Sequence, residues 1–314
     1  MKTLISVLTI FILMLFTSGC ESNEAIDLNM LQQRKDGMYL PNTETPYTGK
    51  FVDKYKNGQK KTEGSLKDGL PDGMSTTWYE NGQKQIEGSL KNLKPDGMST
   101  LWYENGQKQA EANFKDGQPD GMSTLWYENG QKQAEENHKD GKIDGMSIMW
   151  NENGEVTYRV SMKNGELAPG PAGGKIVYLD ATLQHGLEVA PKDLANATWC
   201  TNESNVVAIE TAVGSGAKNT AAIVAGCSFG IKDNAAGIAD AYILNGFDNW
   251  FLPSLDELNI LYILKSEIGG FDNNGYWSST DHDLAYAKSI FFNNGIEFNQ
   301  QKIAKISVRA IRAF

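Results

Sequence analysis

The side chains best suited to chemistry lie close together near the C-terminus, in Ser278-Ser-Thr-Asp281-His282-Asp283. Serine, histidine and a carboxylate are the parts of a nucleophilic triad, in which the histidine takes the serine proton and the carboxylate orients the histidine. The spacing argues against that chemistry, because neighbours on one strand and its turn point in different directions while triad members are assembled in space. Glu203, Glu210, Asp256 and Glu257 suggest the acid and base of glycoside hydrolysis, yet nothing in their spacing sets the separation that reaction needs. No catalytic residue is assigned, and the chain is read as non-enzymatic.

Recognition suits the same turn better. Three ionisable residues in a row cannot all be buried without partners, so Asp281, His282 and Asp283 are expected on a solvated turn able to face a ligand. Its acidity favours neutral sugars, amines or a calcium-bridged glycan over sulfated polymers, which like charges would repel. A plain solvated loop is the alternative, with Asn245-Gly-Phe-Asp248 as the next candidate for contact.

The chain has three cysteines and three histidines, and its formal net charge is −10 without a basic patch in either half. A nucleic-acid partner would need a Lys/Arg stripe to displace counterions, so that class is set aside. Cys200 and Cys227 are expected to bond outside the cytosol, where a bridge over 26 intervening residues would contribute about 3 kcal/mol. Two free buried thiols or a metal site are the other readings. The metal reading has no CxxC spacing to support it, and no metal or cofactor is assigned. Val213 to Lys218 is Gly-rich but lacks the Gly-x-x-x-x-Gly-Lys-Ser/Thr order of a phosphate loop.

The elements that must position these residues begin with a leader. Met1-Lys-Thr precedes 13 mostly apolar residues, Leu4 to Phe16, too few to span a bilayer. With Ser18-Gly-Cys20 closing it, the segment resembles a bacterial lipoprotein signal over residues 1–19. The resemblance implies that Cys20 is acylated as the first mature residue, and Glu21 after it implies the outer membrane. The localisation expected is the cell envelope, lipid-anchored. Residues 20–46 contain two prolines and no sustained periodicity, and read as a tether.

From residue 47 to 168 the chain repeats. Trp78, Trp102, Trp126 and Trp150 stand 24 residues apart, as do Asn81-Gly82, Asn105-Gly106, Asn129-Gly130 and Asn153-Gly154. Each copy reads as a hairpin, and the Asn-Gly pair suits the two-residue type I′ loop, both of whose central residues need positive φ. Closing it pairs Leu101 with Ala110 and Tyr103 with Lys108. Leu101, Tyr103, Ala110 and Phe114 then share one face, and Met98, Thr100 and Trp102 the other. One hairpin cannot bury its own apolar face, so the copies must stack into an elongated sheet held by neighbour contacts. The Asp-Gly-x-x-x-x-Trp-Tyr-x-Asn-Gly spacing resembles MORN repeats, in the variant form of YwqK-type antitoxin proteins. That implies a binding or scaffold module without catalytic residues.

Ala168-Pro-Gly-Pro-Ala-Gly-Gly174 reads as the boundary to a second domain, 169–314. Strands are expected at 175–180, 186–190, 276–280, 287–292, 296–298 and 306–314. Helices are expected at 221–227, 235–244 and 256–265, the last opened by a capping box from Ser254 to Glu257. Trp199-Cys200, Asn249-Trp-Phe-Leu-Pro-Ser-Leu-Asp-Glu-Leu258, Gly275-Tyr-Trp-Ser-Ser-Thr280 and Val308 to Phe314 resemble the Lcl C-terminal domain family. The resemblance implies a compact α+β, C-type-lectin-like domain on surface proteins, tied to adhesion or glycan binding. Trp250, Trp277, Arg309 and Arg312 are expected to be scaffold.

The fold class is therefore a mainly β repeat array followed by an α+β domain. Two functions fit it: an envelope lipoprotein with a spacer or protein-binding array and a ligand-binding head, or an immunity protein that neutralises a toxin through its repeats.

Overall fold

The computed structural model describes residues 24–200, 206, 208–227 and 233–314. The leader, Cys20 and Glu203 lie outside them. The chain divides into two compact units, Met1–Val156 and Thr157–Phe314.

In the first unit, hairpins follow one another in sequence order: Gly49–Lys54 with Lys60–Lys67, Gly73–Trp78 with Lys84–Lys91, Gly97–Trp102 with Lys108–Lys115, and Gln118–Trp126 with Lys132–Lys139, then Lys142–Trp150. Each strand pairs antiparallel with the one before it, which makes one long stacked sheet over the repeats. In the third hairpin Leu101 faces Ala110 and Gly97 faces Phe114, so Leu101, Ala110 and Phe114 do share a face. Ser99, Ala110, Ala112 and Phe114 are buried on it, while Met98 on the other face is 51% exposed.

The turns correct the sequence reading. Gly106 N–H donates to the Tyr103 carbonyl and Trp102 faces Lys108 across a register shift, so the loop holds three residues and not two. Gly106 lies at φ +85° and Asn105 is not among the positive-φ residues, which is a type I turn closed by a glycine bulge. Tyr103 does not pair with Lys108. The cause is the Asn105 side chain: its Oδ1 accepts from Gln107 N–H at 2.9 Å and its Nδ2 donates to the Glu128 carbonyl of the next turn at 3.0 Å. The type I′ loops occur instead at the other corners, where Lys115 faces Gln118 around Asp116 (φ +52°) and Gly117 (φ +88°).

The residues read as a tether are, from Ile26 onward, a folded cap. Ile26–Asp27 pairs in parallel with Phe51 and Val52 at the edge of the first hairpin, and Gln32–Arg34 pairs with Gly37–Tyr39. Leu28, Met38 and Tyr47 pack with Phe51 and Leu66 into a closed apolar cluster. An open sheet edge exposes unpaired backbone groups and half a core, and this segment covers both.

In the second unit, Thr157–Phe314, two small sheets enclose most of the core. One has Lys175–Leu179, Gly186–Val189, Ile311–Ala313 and Trp250–Phe251; the other has Ala195–Ala197, Ile306–Val308, Gly275–Asp281, Tyr286–Phe291 and Glu297–Gln301. The helices are α1 Gly216–Gly226, α2 Ala235–Asp240, α3 Leu255–Ile263 and α4 Lys265–Ile268. The capping box is present: the Ser254 side chain accepts from Glu257 N–H and Glu257 accepts from Ser254 N–H. The expected strand 306–314 is two strands in different sheets, parted at Arg309 and Ala310. Arg309 is fully buried there, and its guanidinium binds the Ala190 and Gly270 carbonyls.

The Pro/Gly stretch 168–174 packs within this unit, which begins at Thr157. Ala172 and Gly174 donate their N–H groups to the buried Glu188 carboxylate, and an added Cβ on Gly174 would stand 2.1 Å from the Val189 carbonyl. Glycine is there for close approach. Helix α2 also stops earlier than expected, because the chain reverses at Asn245-Gly246, both at positive φ, and joins Leu244 to Phe247.

Candidate functional site

The C-terminal turn is divided between two environments. His282 and Asp283 are exposed, whereas Asp281 ends the strand Gly275–Asp281 with its side chain turned inward against Lys302. The Asp281 carboxylate lies 2.8 Å from Lys302 Nζ, with only 7% and 4% of the two side chains exposed. Lys302 Nζ also sits 4.7 Å from the centre of the Trp199 ring, a cation–π contact that helps hold a buried ammonium. Burial raises the Asp281 pKa, with Lys302 opposing it. Asp281 therefore has its partner within the fold and does not join His282 and Asp283 on a solvated surface.

Asp283 is occupied locally. Its Oδ1 accepts from the N–H groups of Ala285 and Tyr286 at 2.8 Å each, which lowers its pKa. His282 Nε2 lies 3.0 Å from Asn299 Nδ2 and 3.9 Å from Asp283. Ser278 Oγ donates to the Lys288 carbonyl on the neighbouring strand, so serine and histidine are turned to different partners. Two of the carboxylates considered for hydrolysis, Glu257 and Glu210, are similarly committed. Glu257 caps α3 and accepts Gly214 N–H at 2.7 Å, and Glu210 pairs with Lys218.

The signature residues of this unit are scaffold. Trp199, Trp250 and Trp277 are at most 1% exposed. The indole N–H groups of Trp199 and Trp277 donate to the carbonyls of Ser278 and Ala197 at 2.8 Å. Arg309 pairs with Asp193 at 2.6 Å beneath the Phe271 ring, and Arg312 pairs with Glu188 at 2.9 Å. Cys200 and Cys227 form a disulfide with a Cα–Cα distance of 5.9 Å.

The first unit presents a different surface, the same group repeated. On the face opposite Ala110 and Phe114, the second, third and fourth hairpins each carry an exposed methionine, Met74, Met98 and Met122, two pleats from a half-buried tryptophan. Lys84 Nζ lies 5.5 Å from the centre of the Trp102 ring, and Lys108 the same distance from Trp126. Those lysines also pair with Glu87 and Glu111 on their own strands. The result is a ladder of methionine, tryptophan and lysine–glutamate pairs, offering apolar and polar contact together.

Residues 71–92, 95–116 and 119–140 match the family model of the MORN repeat variant. Three units of the array, within residues 71–140, are therefore MORN-repeat variants. No curated protein matches the chain. The three MORN stretches cover the second, third and fourth hairpins. The first hairpin lies outside them and departs from the pattern: Asp53 and Thr62 stand opposite each other where the third hairpin has Leu101 and Ala110.

The buried partner of Asp281 was missed from sequence, since Lys302 lies 21 positions away in a polar segment with no marker of burial. Strand alternation gave no warning, because Lys302 falls just past the strand Glu297–Gln301.

Proposed function

We propose that this chain is a non-enzymatic lipoprotein of the bacterial cell envelope, in which the MORN hairpins form a protein- or polymer-binding scaffold and the C-terminal unit a ligand-binding head. The observation that carries the reading is the repeated outer face, where Met74, Met98 and Met122 are each more than half exposed beside Trp78, Trp102 and Trp126. Apolar side chains recurring on one face of a soluble array mark a contact surface, and a regular ladder suits an extended partner. The leader supplies the anchoring half of the proposal, with Cys20 as the acylated residue and the outer membrane as its destination. The Lcl-like signature supplies the other, an adhesion or glycan-binding role for the terminal unit.

The test has two arms on the full-length protein. Cys20→Ala should turn a membrane-bound product into an unprocessed or soluble one; unchanged detergent partitioning and precursor size would remove the anchor. In the second arm, purified chain is co-sedimented with isolated sacculi and outer-membrane vesicles. Met74, Met98 and Met122 are then replaced together by Ser, with folding checked by circular dichroism. Pelleting that survives the triple substitution would remove the ladder as the contact surface.

A further inference from the structure

The hairpin turns of the array carry Asn-Gly, a pair whose side-chain amide and following backbone nitrogen can react with each other, because glycine leaves that nitrogen unshielded. Four of these turns, at Asn81, Asn105, Asn129 and Asn153, share one backbone. In each the glycine N–H donates to the carbonyl three residues back at 2.9 Å, and the glycine lies at φ +82° to +85°. Their local sequences are Glu-Asn-Gly-Gln three times and Glu-Asn-Gly-Glu in the last. The side chains are held differently. In the first three, Asn Oδ1 accepts from the N–H two residues on at 2.9 Å, and Nδ2 donates to the glutamate carbonyl of the next turn at 2.8 to 3.0 Å. Asn153 has neither bond. It is exposed, and its side chain makes no hydrogen bond among the described residues.

Two departures from the repeat free this side chain. The repeat ends after it, so among the described residues no later turn of this kind supplies a carbonyl for its Nδ2. In addition, Asn151 stands where the earlier turns have Tyr79, Tyr103 and Tyr127. Asn151 Oδ1 accepts from the N–H groups of Asn153 and Glu155 at 3.0 Å each, and so takes the donor that the Asn-Gly asparagine binds in the earlier turns. A free asparagine in such a turn can close on its own backbone. The Gly154 nitrogen loses its proton to base and attacks the side-chain carbonyl carbon of Asn153. The new C–N bond closes a five-membered imide, and the amide nitrogen takes up a proton and leaves as ammonia. One water then opens the imide at either carbonyl, giving aspartate, or isoaspartate with an extra methylene in the main chain. In the locked turns the side chain must first break two hydrogen bonds to reach the attacking geometry, and access to that geometry governs such a rate.

We propose that Asn153 is a site of self-modification, an intramolecular deamidation that the fold suppresses at Asn81, Asn105 and Asn129 and leaves open in the last turn of the array. The product adds a carboxylate to a turn that already holds Glu152 and Glu155. In the isoaspartate form it also lengthens the main chain beside the Glu152 carbonyl, to which Asn129 donates. The last bond between turns is thus the one that the change reaches. The site is separate from the methionine ladder and from Cys20, and depends on neither.

In the experiment the full-length chain is held in mildly alkaline buffer, and deamidation at each asparagine is followed by peptide mapping with mass spectrometry. Asn153 should deamidate about tenfold faster than Asn81, Asn105 and Asn129, the weight of the two bonds that those side chains must break. Its rate should rise with pH, since the Gly154 nitrogen must lose a proton. In concentrated urea the four rates should converge, because their local sequences are nearly the same. Asn151→Tyr installs the residue of the earlier turns and returns the Glu155 N–H to Asn153, so it should slow that site about threefold, the weight of one bond. If this variant fails to fold by circular dichroism, Tyr127→Asn takes its place and should speed Asn129 by about the same factor. Equal rates at the four asparagines of the folded chain would overturn the proposal. So would a lead for Asn153 that persists in urea, a rate that does not rise with pH, or an unchanged rate in the folded variant.

Discussion

The Tyr103 hydroxyl donates to the Trp126 carbonyl at 2.8 Å, a bond that crosses from one hairpin turn to the next. The same bond joins Tyr55 to Trp78, Tyr79 to Trp102 and Tyr127 to Trp150, at 2.7 to 2.9 Å. Asn105 reinforces it by donating to Glu128, and Gly106 leaves room for Gln83, whose Oε1 would stand 2.1 Å from an added Cβ. Each turn is thus fastened to the following one. In a linear array such contacts are the coupling between units, and they decide whether it unfolds as one body or frays.

Tyr103→Phe keeps the ring and removes only this bond. We expect a loss of about 1 kcal/mol in urea unfolding of the array, with a shallower transition as coupling weakens. An unchanged midpoint and slope would show that the ring, and not its hydroxyl, joins the turns.

A second prediction comes from the one corner that breaks the rule. Where the equivalent corners Asp68-Gly69, Asp116-Gly117 and Asp140-Gly141 carry glycine at positive φ, the loop Asn92-Leu93 puts leucine at φ +63°, and that leucine is 42% exposed. The left-handed conformation costs a residue with a Cβ about 1 to 2 kcal/mol, and an exposed leucine gains little packing in return. Leu93→Gly should therefore raise the unfolding free energy by about 1 kcal/mol, part of the relief being offset by glycine's freedom in the unfolded chain. Gly117→Leu, the reverse change one unit on, should lower it. A destabilised Leu93→Gly would mean that the leucine makes a contact worth more than its strain.

These two positions show how far sequence could be read. The period, the hairpins and the two faces of each strand follow from the spacing of Trp102, Asn105 and Ala110, because alternation and turn chemistry act over a few residues. Which corner takes which turn did not follow. Asn105 is drawn out of the left-handed region by a bond to Glu128, 23 positions on, and a hairpin considered alone contains no such partner. The N-terminal cap escaped for the same reason: Leu28 and Met38 lack a periodic pattern and are buried by the edge they cover. In the C-terminal unit, the capping box at Ser254 was local and legible, while the Asp281–Lys302 pair joins segments whose meeting is a property of the whole sheet.

The third prediction concerns acid. His138 stands on the buried face where the third hairpin has Phe114, and its Nδ1 has no partner among the described residues. Burial lowers its pKa, with Glu136 at 3.5 Å opposing the shift. A depressed folded pKa means the neutral form is the stabilised one. The contribution is complete above the ordinary histidine value of about 6.5 and is lost as pH falls through the folded value. Unfolding free energy should decline between pH 7.5 and 5.5, and His138→Phe should flatten that decline. An equal slope in both proteins would place the acid sensitivity elsewhere.

The fourth prediction is the disulfide. With its ends 27 positions apart in sequence, the Cys200–Cys227 bridge closes a loop whose removal should cost about 3 kcal/mol through the unfolded chain. Reductant, or replacement of both cysteines by alanine, should lower the melting temperature of the C-terminal unit and leave the repeat array's transition in place. A common drop in both transitions would show that the two units unfold together.

The last prediction separates Asp281 from Asp283, which stand two residues apart on the same turn. Asp283 is exposed, accepts from the backbone of its own loop and has only the exposed His282 near it at 3.9 Å, so Asp283→Asn retains an acceptor at the same place and should change stability by less than about 0.5 kcal/mol. Asp281 faces a lysine that is 3% exposed and lies against Trp199. Asp281→Asn strands that ammonium in a site with no second carboxylate bonded to it among the described residues, and breaking one side of a buried pair costs about 3 to 5 kcal/mol. Replacing both partners at once, Asp281→Asn with Lys302→Met, removes the stranded charge and should recover most of the loss, since methionine can keep the lysine stem's packing against the indole. Thermal unfolding of the three variants reads the difference directly. If the double variant is no more stable than Asp281→Asn alone, the charge was not the cost, and the Asp281 side chain would instead be holding the turn's shape.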